Sequence, residues 1–316
     1  MARVILITGA SSGIGRAAAQ AFAAEGANLV LASRSPEALA VVEAETKAQA
    51  EEVLTVPTDV ADADQVEALF EQAVRRFGRV DAVVHAAAVL AYGRFEEVPT
   101  HVFDQVVRIN LGGTANVSRE ALKRFRDQEG GRLVLVGSLL GMIALPTMGA
   151  YTTSKWAVHG LAHTLRIEAR RTPGVHVSLV WPGSINTPVY DQAATFADRA
   201  NRPLPPVDPA EKVARAIVRA VRRPRRSIPV GPLNHPVAWL FAALPGVFDV
   251  VATPMMKVLG TTKEAVVPNH GNVFEPRPDG EGVHGRWGRH WLRLAGMAGI
   301  AGLAGAAAKT HRRTSR

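Results

Sequence analysis

A chain of 316 residues with 47% hydrophobic side chains is long and apolar enough for one large α/β domain with an extension, which argues against general disorder. The absence of cysteine excludes disulfides and thiolate metal sites, and no other metal site is predicted. The net charge of +9 lies in two basic segments, 202–226 with +6 and 286–316 with +7, so the rest of the chain carries −4. No recognition motif accompanies this charge, so we expect no nucleic acid partner. Solvated surface or contact with anionic lipid headgroups would account for the two segments.

The first 185 residues alternate short apolar runs with longer segments of helical spacing. The runs predict strands at Val4–Ile7, Asn28–Ala32, Val53–Val56, Val80–Val84, Arg132–Val136 and Val175–Val180. The segments between them predict helices at Gly13–Glu25, Pro36–Ala50, Asp62–Phe77, Pro99–Arg126 and Ala150–Arg171. This alternation favours βαβ units, and strands that are apolar on both faces are typical of a covered parallel sheet. We predict a doubly wound, Rossmann-type parallel sheet with helices on both faces and a C-terminal helical extension.

The first predicted strand runs into a glycine-rich turn that a helix follows. Glycine allows the tight backbone and the close approach that a pyrophosphate requires, and the helix N-terminus offers N–H groups to the anion. A turn that merely connects a strand to a helix is the alternative. The position of the turn predicts a dinucleotide site that involves Gly9, Ser11, Ser12, Gly13, Ile14 and Gly15.

The string Thr8-Gly9-Ala10-Ser11-Ser12-Gly13-Ile14-Gly15 resembles the Thr-Gly-x-x-x-Gly-x-Gly signature of the short-chain dehydrogenase/reductase family, in its compact branch. The resemblance covers about residues 3–230, and later motifs follow in the family's order. It implies an oxidoreductase with a nicotinamide cofactor.

The second predicted strand ends in Ser33-Arg34 without an acidic residue. A carboxylate at this place would bind ribose hydroxyls and repel a 2′-phosphate, whereas Arg34 can give that phosphate paired, charge-assisted bonds and Ser11 can add its hydroxyl. In the family an arginine here implies NADP, so we expect NADP(H). A solvated surface arginine is the alternative.

Two further segments concern the adenine side and the fourth strand. The resemblance places Asp59 and Val60 against the adenine ring, and the backbone of Ala87 against the cofactor. The family's Asn-Asn-Ala-Gly is replaced by His85-Ala86-Ala87-Ala88, so Ala86 cannot support the sheet with its side chain. We interpret His85 as a structural residue rather than an acid or base.

Tyr151 and Lys155 form a Tyr-x-x-x-Lys pair, which a helix places on one face. A nearby cation favours the phenolate, so Tyr151 can exchange a proton near neutral pH. The segment Ala150–Lys155 resembles the family's catalytic motif. The resemblance adds Ser138, which polarises the substrate oxygen, and Asn110, whose carbonyl holds a water that links Lys155 to solvent. Lys155 also holds the cofactor ribose.

After the sixth strand, the string from Trp181 to Thr187 resembles the family's Pro-Gly-x-x-x-Thr. Backbone groups near Ile185 and the Thr187 hydroxyl would hold the nicotinamide carboxamide and so fix the ring face. The candidate contacts are Pro182, Gly183, Ile185 and Thr187.

The segments that follow are predicted as a mobile loop, a basic helix and a last strand, at Ser184–Pro209, Ala210–Arg222 and Ser227–Val230. The apolar segment His235–Gly260 contains Pro245 and Pro254, so it cannot be one straight helix. Pro268–Gly288 is predicted as loop. We divide the chain into an NADP-binding catalytic domain at 1–232, an apolar substrate-covering extension at 233–288 and a tail at 289–316.

The tail contains an apolar run, Leu294–Ala308, that is shorter than the roughly 20 residues of a spanning helix. A soluble packing helix, a membrane-surface or tail anchor, and disorder are all compatible with it. The first strand begins almost at Met1 and leaves no room for a signal peptide. We expect a cytoplasmic protein, with the tail as its candidate contact to a membrane surface.

These motifs predict hydride transfer between NADP(H) and a carbonyl or alcohol group of a lipophilic small molecule, by a homo-oligomer. An NADP-binding sensor or membrane-associated scaffold without turnover is the alternative, which the complete set of Ser138, Tyr151 and Lys155 disfavours. An epimerase or dehydratase of the extended branch is disfavoured by the glycine spacing.

Overall fold

The computed structural model describes residues 2–277 and 280–288. Seven strands form one sheet in the order β7-β6-β5-β4-β1-β2-β3, and every neighbouring pair is parallel. The strands are β1 (Val4–Thr8), β2 (Asn28–Ser33), β3 (Glu52–Pro57), β4 (Ala82–His85), β5 (Gly131–Val136), β6 (Val175–Pro182) and β7 (Ser227–Val230). The predicted sheet is confirmed, including its last strand.

Nine α-helices accompany the sheet in the described part of the chain. They are α1 (Gly13–Ala23), α2 (Pro36–Thr46), α3 (Ala63–Phe77), α4 (Thr100–Val107), α5 (Gly113–Asp127), α6 (Gly149–Glu168), α7 (Ala210–Arg222), α8 (Asn234–Ala243) and α9 (Pro245–Met255). The helix predicted over Pro99–Arg126 is α4 and α5 joined by a π-helical turn at Arg108–Gly112. Such turns occur often at functional sites, and this one carries Asn110.

Two apolar cores cover the two faces of the sheet, as alternation along a strand requires. Val4 and Leu6 of β1 belong to the core shared with α3, α4, α5 and α6. Ile5 and Ile7 belong to the opposite core, shared with α1, α2 and α7. Each such buried side chain contributes roughly 1.5–3 kcal/mol. The doubly covered sheet therefore supplies a rigid base for the loops at its edge.

The segment Ser184–Pro209 is not the irregular loop that the sequence predicts. Ser184–Asn186 pairs with Val207–Pro209, Ala194–Thr195 with Ala91–Tyr92, and Arg199–Asn201 with Thr261–Ala265. The paired strands lie far apart in sequence or are only two or three residues long, so the local periodicity of the sequence does not reveal them. These short ladders fix the segment beside the sheet edge.

The apolar extension forms α8 and α9, which meet at Leu244 and Pro245 as the proline pattern predicts. Phe248 and Ala252 are buried beside the sheet edge. Trp239 and Val250, in contrast, are 65% and 75% exposed. The helix pair thus has one apolar face against the body of the protein and another in contact with solvent.

The segment 268–288 contains no helix or extended strand in its described residues, as predicted, yet it packs against the sheet edge. None of the described helices combines the length and the apolar character needed to cross a bilayer. The predicted tail at 289–316, with the run Leu294–Ala308, lies outside the described residues.

Candidate active site

The candidate site lies at the carboxyl ends of the strands, where open α/β sheets bind ligands. One cavity of about 420 Å³ connects these strand ends. It brings together all the predicted site residues except Gly15 and Asn110, which lie behind its wall. The residues singled out in the sequence thus lie close together, and their roles stay a prediction.

The turn after β1 exposes bare backbone to the cavity. Gly9 has a φ of +70°, which side chains rarely adopt, and a Cβ on Gly15 would lie 2.0 Å from the Gly9 carbonyl oxygen. Ser12 is the N-cap residue of α1, but its side chain does not cap the helix. The positive end of the helix dipole thus faces the turn. The glycine-rich turn and the helix end together fit the pyrophosphate of a dinucleotide.

Arg34, at the end of β2, donates to three backbone carbonyls, those of Asn272, Val273 and Phe274. Burial lowers the pKa of Arg34, while the nearby carboxylates of Asp59 and Glu281 raise it. The predicted anion-binding guanidinium is therefore held by the C-terminal part of the chain. Sequence reasoning did not identify that contact or Glu281.

The loop after β3 carries Asp59 and Val60, which the sequence predicts to lie against adenine. The Asp59 carboxylate accepts from the Ala61 N–H at 2.9 Å, and the Val60 carbonyl accepts from the Asn116 side chain at 3.0 Å. These bonds fix the loop as one wall of the cavity.

Ser138, Tyr151 and Lys155 form the predicted catalytic group. The Ser138 side chain interacts with the Tyr151 hydroxyl, and the Lys155 Nζ lies 5.6 Å from the centre of the Tyr151 ring. Lys155 is buried and donates to the Val136 carbonyl at 3.1 Å. A hydroxyl, a phenol and an ammonium thus meet at one wall of the cavity.

Burial controls the proton affinities of this group in the free protein. It raises the pKa of Tyr151 to about 12, an effect that the Ser138 hydrogen bond opposes. It lowers the pKa of Lys155 to about 8. The lowering of the Tyr151 pKa expected from Lys155 is therefore outweighed by burial while no cofactor charge is nearby. Tyr151 remains protonated at neutral pH in this state.

Two neighbouring residues support the catalytic group from behind. The Asn110 side chain accepts from the Val89 N–H at 2.8 Å and donates to the Ser154 hydroxyl at 3.0 Å. The His159 Nε2 accepts from the Ser138 N–H at 3.4 Å. His159 was missed by sequence reasoning, although its position four residues after Lys155 on α6 places it on the same helix face.

His85 has the structural position expected for it. Its Nδ1 forms a 2.8 Å hydrogen bond with the Thr8 hydroxyl and so connects β4 to β1. Burial, with a smaller effect of the Lys155 charge, lowers the pKa of His85 to about 3. A neutral, buried imidazole with a strand-to-strand bond stabilises the sheet beside the site.

The Pro-Gly turn at the end of β6 forms the far wall. Ile185 and Thr187 are buried. The Thr187 side chain lies so close to Gly13 that a Cβ on Gly13 would be 3.1 Å from it. Asn234, which the sequence did not single out, donates from Nδ2 to the Trp181 carbonyl at 2.9 Å. This amide holds the start of α8 against the turn.

The remaining cavity wall is apolar. The extension contributes side chains from both of its helices and from the turn after α9: Val237, Leu240, Phe248, Val251, Ala252, Met255 and Met256. Leu140, Ile143 and Met148 come from the loop between β5 and α6. The space in front of Tyr151 therefore suits an apolar group.

Comparisons with known proteins identify the family of the chain. The short chain dehydrogenase family matches residues 3–197. The protein named uncharacterized oxidoreductase YxnA of Bacillus subtilis is 32% identical over 298 residues, which cover 92% of this chain and 82% of that protein.

Two solved structures are similar to this chain in fold. A short chain dehydrogenase/reductase from Burkholderia phymatum in complex with NAD is 30% identical, with a TM-score of 0.70 over 78% of this chain and 95% of that one. An alcohol dehydrogenase from the archaeon Thermococcus sibiricus, complexed with 5-hydroxy-NADP, is 28% identical, with a TM-score of 0.63 over 73% of this chain and 95% of that one. Both nicotinamide dinucleotide types thus occur among similar structures.

Proposed function

The chain belongs to the short-chain dehydrogenase/reductase family, and from that premise we propose that it transfers a hydride between NADP(H) and a carbonyl or alcohol group of a lipophilic substrate. One observation carries the proposal. The Ser138–Tyr151–Lys155 group lies in a cavity that the glycine-rich turn lines on one side and apolar residues of α8 and α9 line on the other.

The nicotinamide supplies or accepts the hydride when it is bound. We propose that the Ser138 hydroxyl donates to the substrate oxygen and stabilises the charge that develops there. The Tyr151 hydroxyl gives its proton to the same oxygen during reduction. Because burial keeps Tyr151 protonated in the free protein, the donor form is the resting form. Lys155, whose pKa is lowered to about 8, stabilises the developing phenolate.

The substrate class follows from the apolar wall. A few polar groups at the catalytic end and aliphatic or aromatic side chains elsewhere are typical of pockets for lipophilic molecules. A long-chain or polycyclic ketone or alcohol would desolvate Phe248 and Leu240, with its oxygen beside Ser138. The homo-oligomer expected from the sequence stays a prediction.

The proposed function is tested by following nicotinamide absorbance with purified protein, NADPH or NADH, and a panel of aldehydes, ketones and quinones of increasing chain length. We expect turnover with NADPH, and kcat/KM that increases about threefold or more for each added pair of methylenes until the cavity is filled. No turnover with any of the panel in either direction would contradict the enzyme proposal. Turnover of only short, polar substrates would contradict the lipophilic class.

The choice of NADP(H) is proposed because Arg34 and Ser11 line the adenosine end of the cavity, while β2 ends without an acidic residue. Arg34→Asp is expected to weaken NADPH binding by about 30-fold relative to NADH, because a charge-assisted contact worth about 2 kcal/mol is replaced by repulsion. The measurement is a fluorescence titration of both cofactors. Arg171→Asp, an exposed site with the same charge change, is the control. Equal weakening of both cofactors in R34D would assign Arg34 a purely structural role.

A further inference from the structure

The described residues of the segment 268–288, here called the strap, run along the mouth of the dinucleotide site. The first half is fixed by the Asn272 N–H, which donates to the Gln192 carbonyl at 2.8 Å, and by the Arg34 bonds to the carbonyls of residues 272–274. The strap thus reaches the adenosine end of the cavity from outside the sheet.

The second half of the strap enters the glycine-rich turn itself. The Gly13 N–H, at the N-terminus of α1, donates to the Gly282 carbonyl at 2.7 Å. The Trp287 N–H donates to the Asn186 side chain at 2.9 Å, and a Cβ on Gly285 would lie 2.5 Å from the Thr187 carbonyl oxygen. A donor of the anion-binding turn is therefore already paired with the protein's own backbone.

Glu281 is the charged residue at this contact. Glu281 lines the same cavity as Ser11 and Arg34. Its carboxylate interacts with the Ser11 side chain and is attracted by the charges of Arg16 and Arg34. Its Oε2 is buried without a hydrogen-bond partner among the described residues. Burial raises the pKa of Glu281, as expected for a carboxylate removed from water. A desolvated, half-satisfied carboxylate is unfavourable unless cations hold it in place.

Glu281 presents an anionic group to the same side chains that a phosphate group would use. Ser11 and Arg34 are the two groups that would contact the 2′-phosphate of NADP(H), and Glu281 lines the cavity together with them. The Glu281 carboxylate interacts with Ser11 and is attracted by the Arg34 charge. Two anions cannot share one serine and one arginine without repulsion, so a bound 2′-phosphate and an ionised Glu281 oppose each other. The ribose hydroxyl of NAD(H) at this point carries no such charge.

We propose that Glu281 is a specificity-determining residue of the cofactor site, an internal competitor of the 2′-phosphate for Ser11 and Arg34. The proposal rests on the proposed nicotinamide-dependent function. It implies that NADP(H) binding includes displacement of the Glu281 carboxylate from Ser11, whereas NAD(H) binding is less affected. The strap thereby reduces the preference for NADP(H) over NAD(H) that Arg34 alone would give.

The test is a comparison of dissociation constants for NADPH, NADH and adenosine 2′,5′-bisphosphate, by fluorescence or calorimetric titration. It uses the full-length wild type, Glu281→Gln and the control Glu275→Gln, which removes one charge from an exposed site of the strap. We expect E281Q to bind NADPH and the bisphosphate about tenfold more tightly, with NADH changed less than about threefold, and E275Q to match the wild type.

Three outcomes would overturn the proposal: an unchanged ratio of NADPH to NADH affinity in E281Q, weaker NADPH binding in E281Q, or the same shift in E275Q. The bisphosphate lacks nicotinamide, so its binding reports on the Glu281 contact independently of turnover. A wild type that prefers NADH, together with an E281Q that shifts toward NADPH, would overturn the proposed cofactor and support the role of Glu281.

Discussion

Replacing Tyr151 with phenylalanine is expected to lower kcat by about a hundredfold to ten-thousandfold and to leave NADPH affinity within about threefold. The substitution removes the proton donor, whose loss costs about 10²- to 10⁴-fold in general acid catalysis, and keeps the ring that fills the wall. The buried Lys155 and its bond to the Val136 carbonyl remain, so the shape of the site is retained. The measurement combines steady-state kinetics with a cofactor titration.

Tyr92→Phe is the matched control, because Tyr92 is a buried tyrosine of the same cavity. Burial raises the pKa of its hydroxyl well above the ordinary range, with smaller contributions from Tyr190 and Tyr151. Turnover of Y92F should stay within about tenfold of the wild type. A Y151F protein with near wild-type kcat would refute the proposed mechanism.

Gly15→Ala is expected to reduce the affinity for either dinucleotide by about a hundredfold or more. Its methyl group would lie 2.0 Å from the Gly9 carbonyl oxygen, and backbone atoms cannot move away as a side chain can. Overpacking of this kind costs about 3 kcal/mol, which corresponds to about 150-fold in binding if the turn opens to accept the methyl group. The measurement is a titration with NADPH and NADH beside a thermal unfolding curve.

Gly160→Ala provides the control for the loss of a glycine. Gly160 is exposed within α6, and a Cβ there would contact nothing within 4 Å. Its replacement should stabilise the fold by about 0.5–1 kcal/mol and leave cofactor binding unchanged. Should G15A bind both cofactors as the wild type does, the close approach at the turn would have no role in binding.

The parts of the fold that local sequence predicts are those with local causes. The run Val4–Ile7 is apolar at every position because β1 is covered on both faces, and it leads directly into the glycine-rich turn. Tyr151 and Lys155 converge because one helix carries both, and Ser138 joins them because β5 ends beside that helix.

The parts that sequence does not reveal depend on contacts between distant segments. Nothing near Arg34 indicates that its guanidinium is bound by the carbonyls of residues 272–274. Glu281 stands in a stretch that has no periodicity, so its place beside Ser11 depends wholly on tertiary structure. Likewise, the proton affinity of Tyr151 is set by burial, which spacing on a helix does not report.

The strap also has a consequence for the order in which the molecule assembles. The bond from Arg34 to Asn272 joins residues 238 positions apart, near the two ends of the described chain. Contacts that close such long loops form late in folding, because the chain must lose the entropy of loop closure before these contacts can stabilise it. During synthesis the sheet can therefore be complete while the rim of the cofactor site is still missing. On heating, we expect the same rim to open before the sheet unfolds.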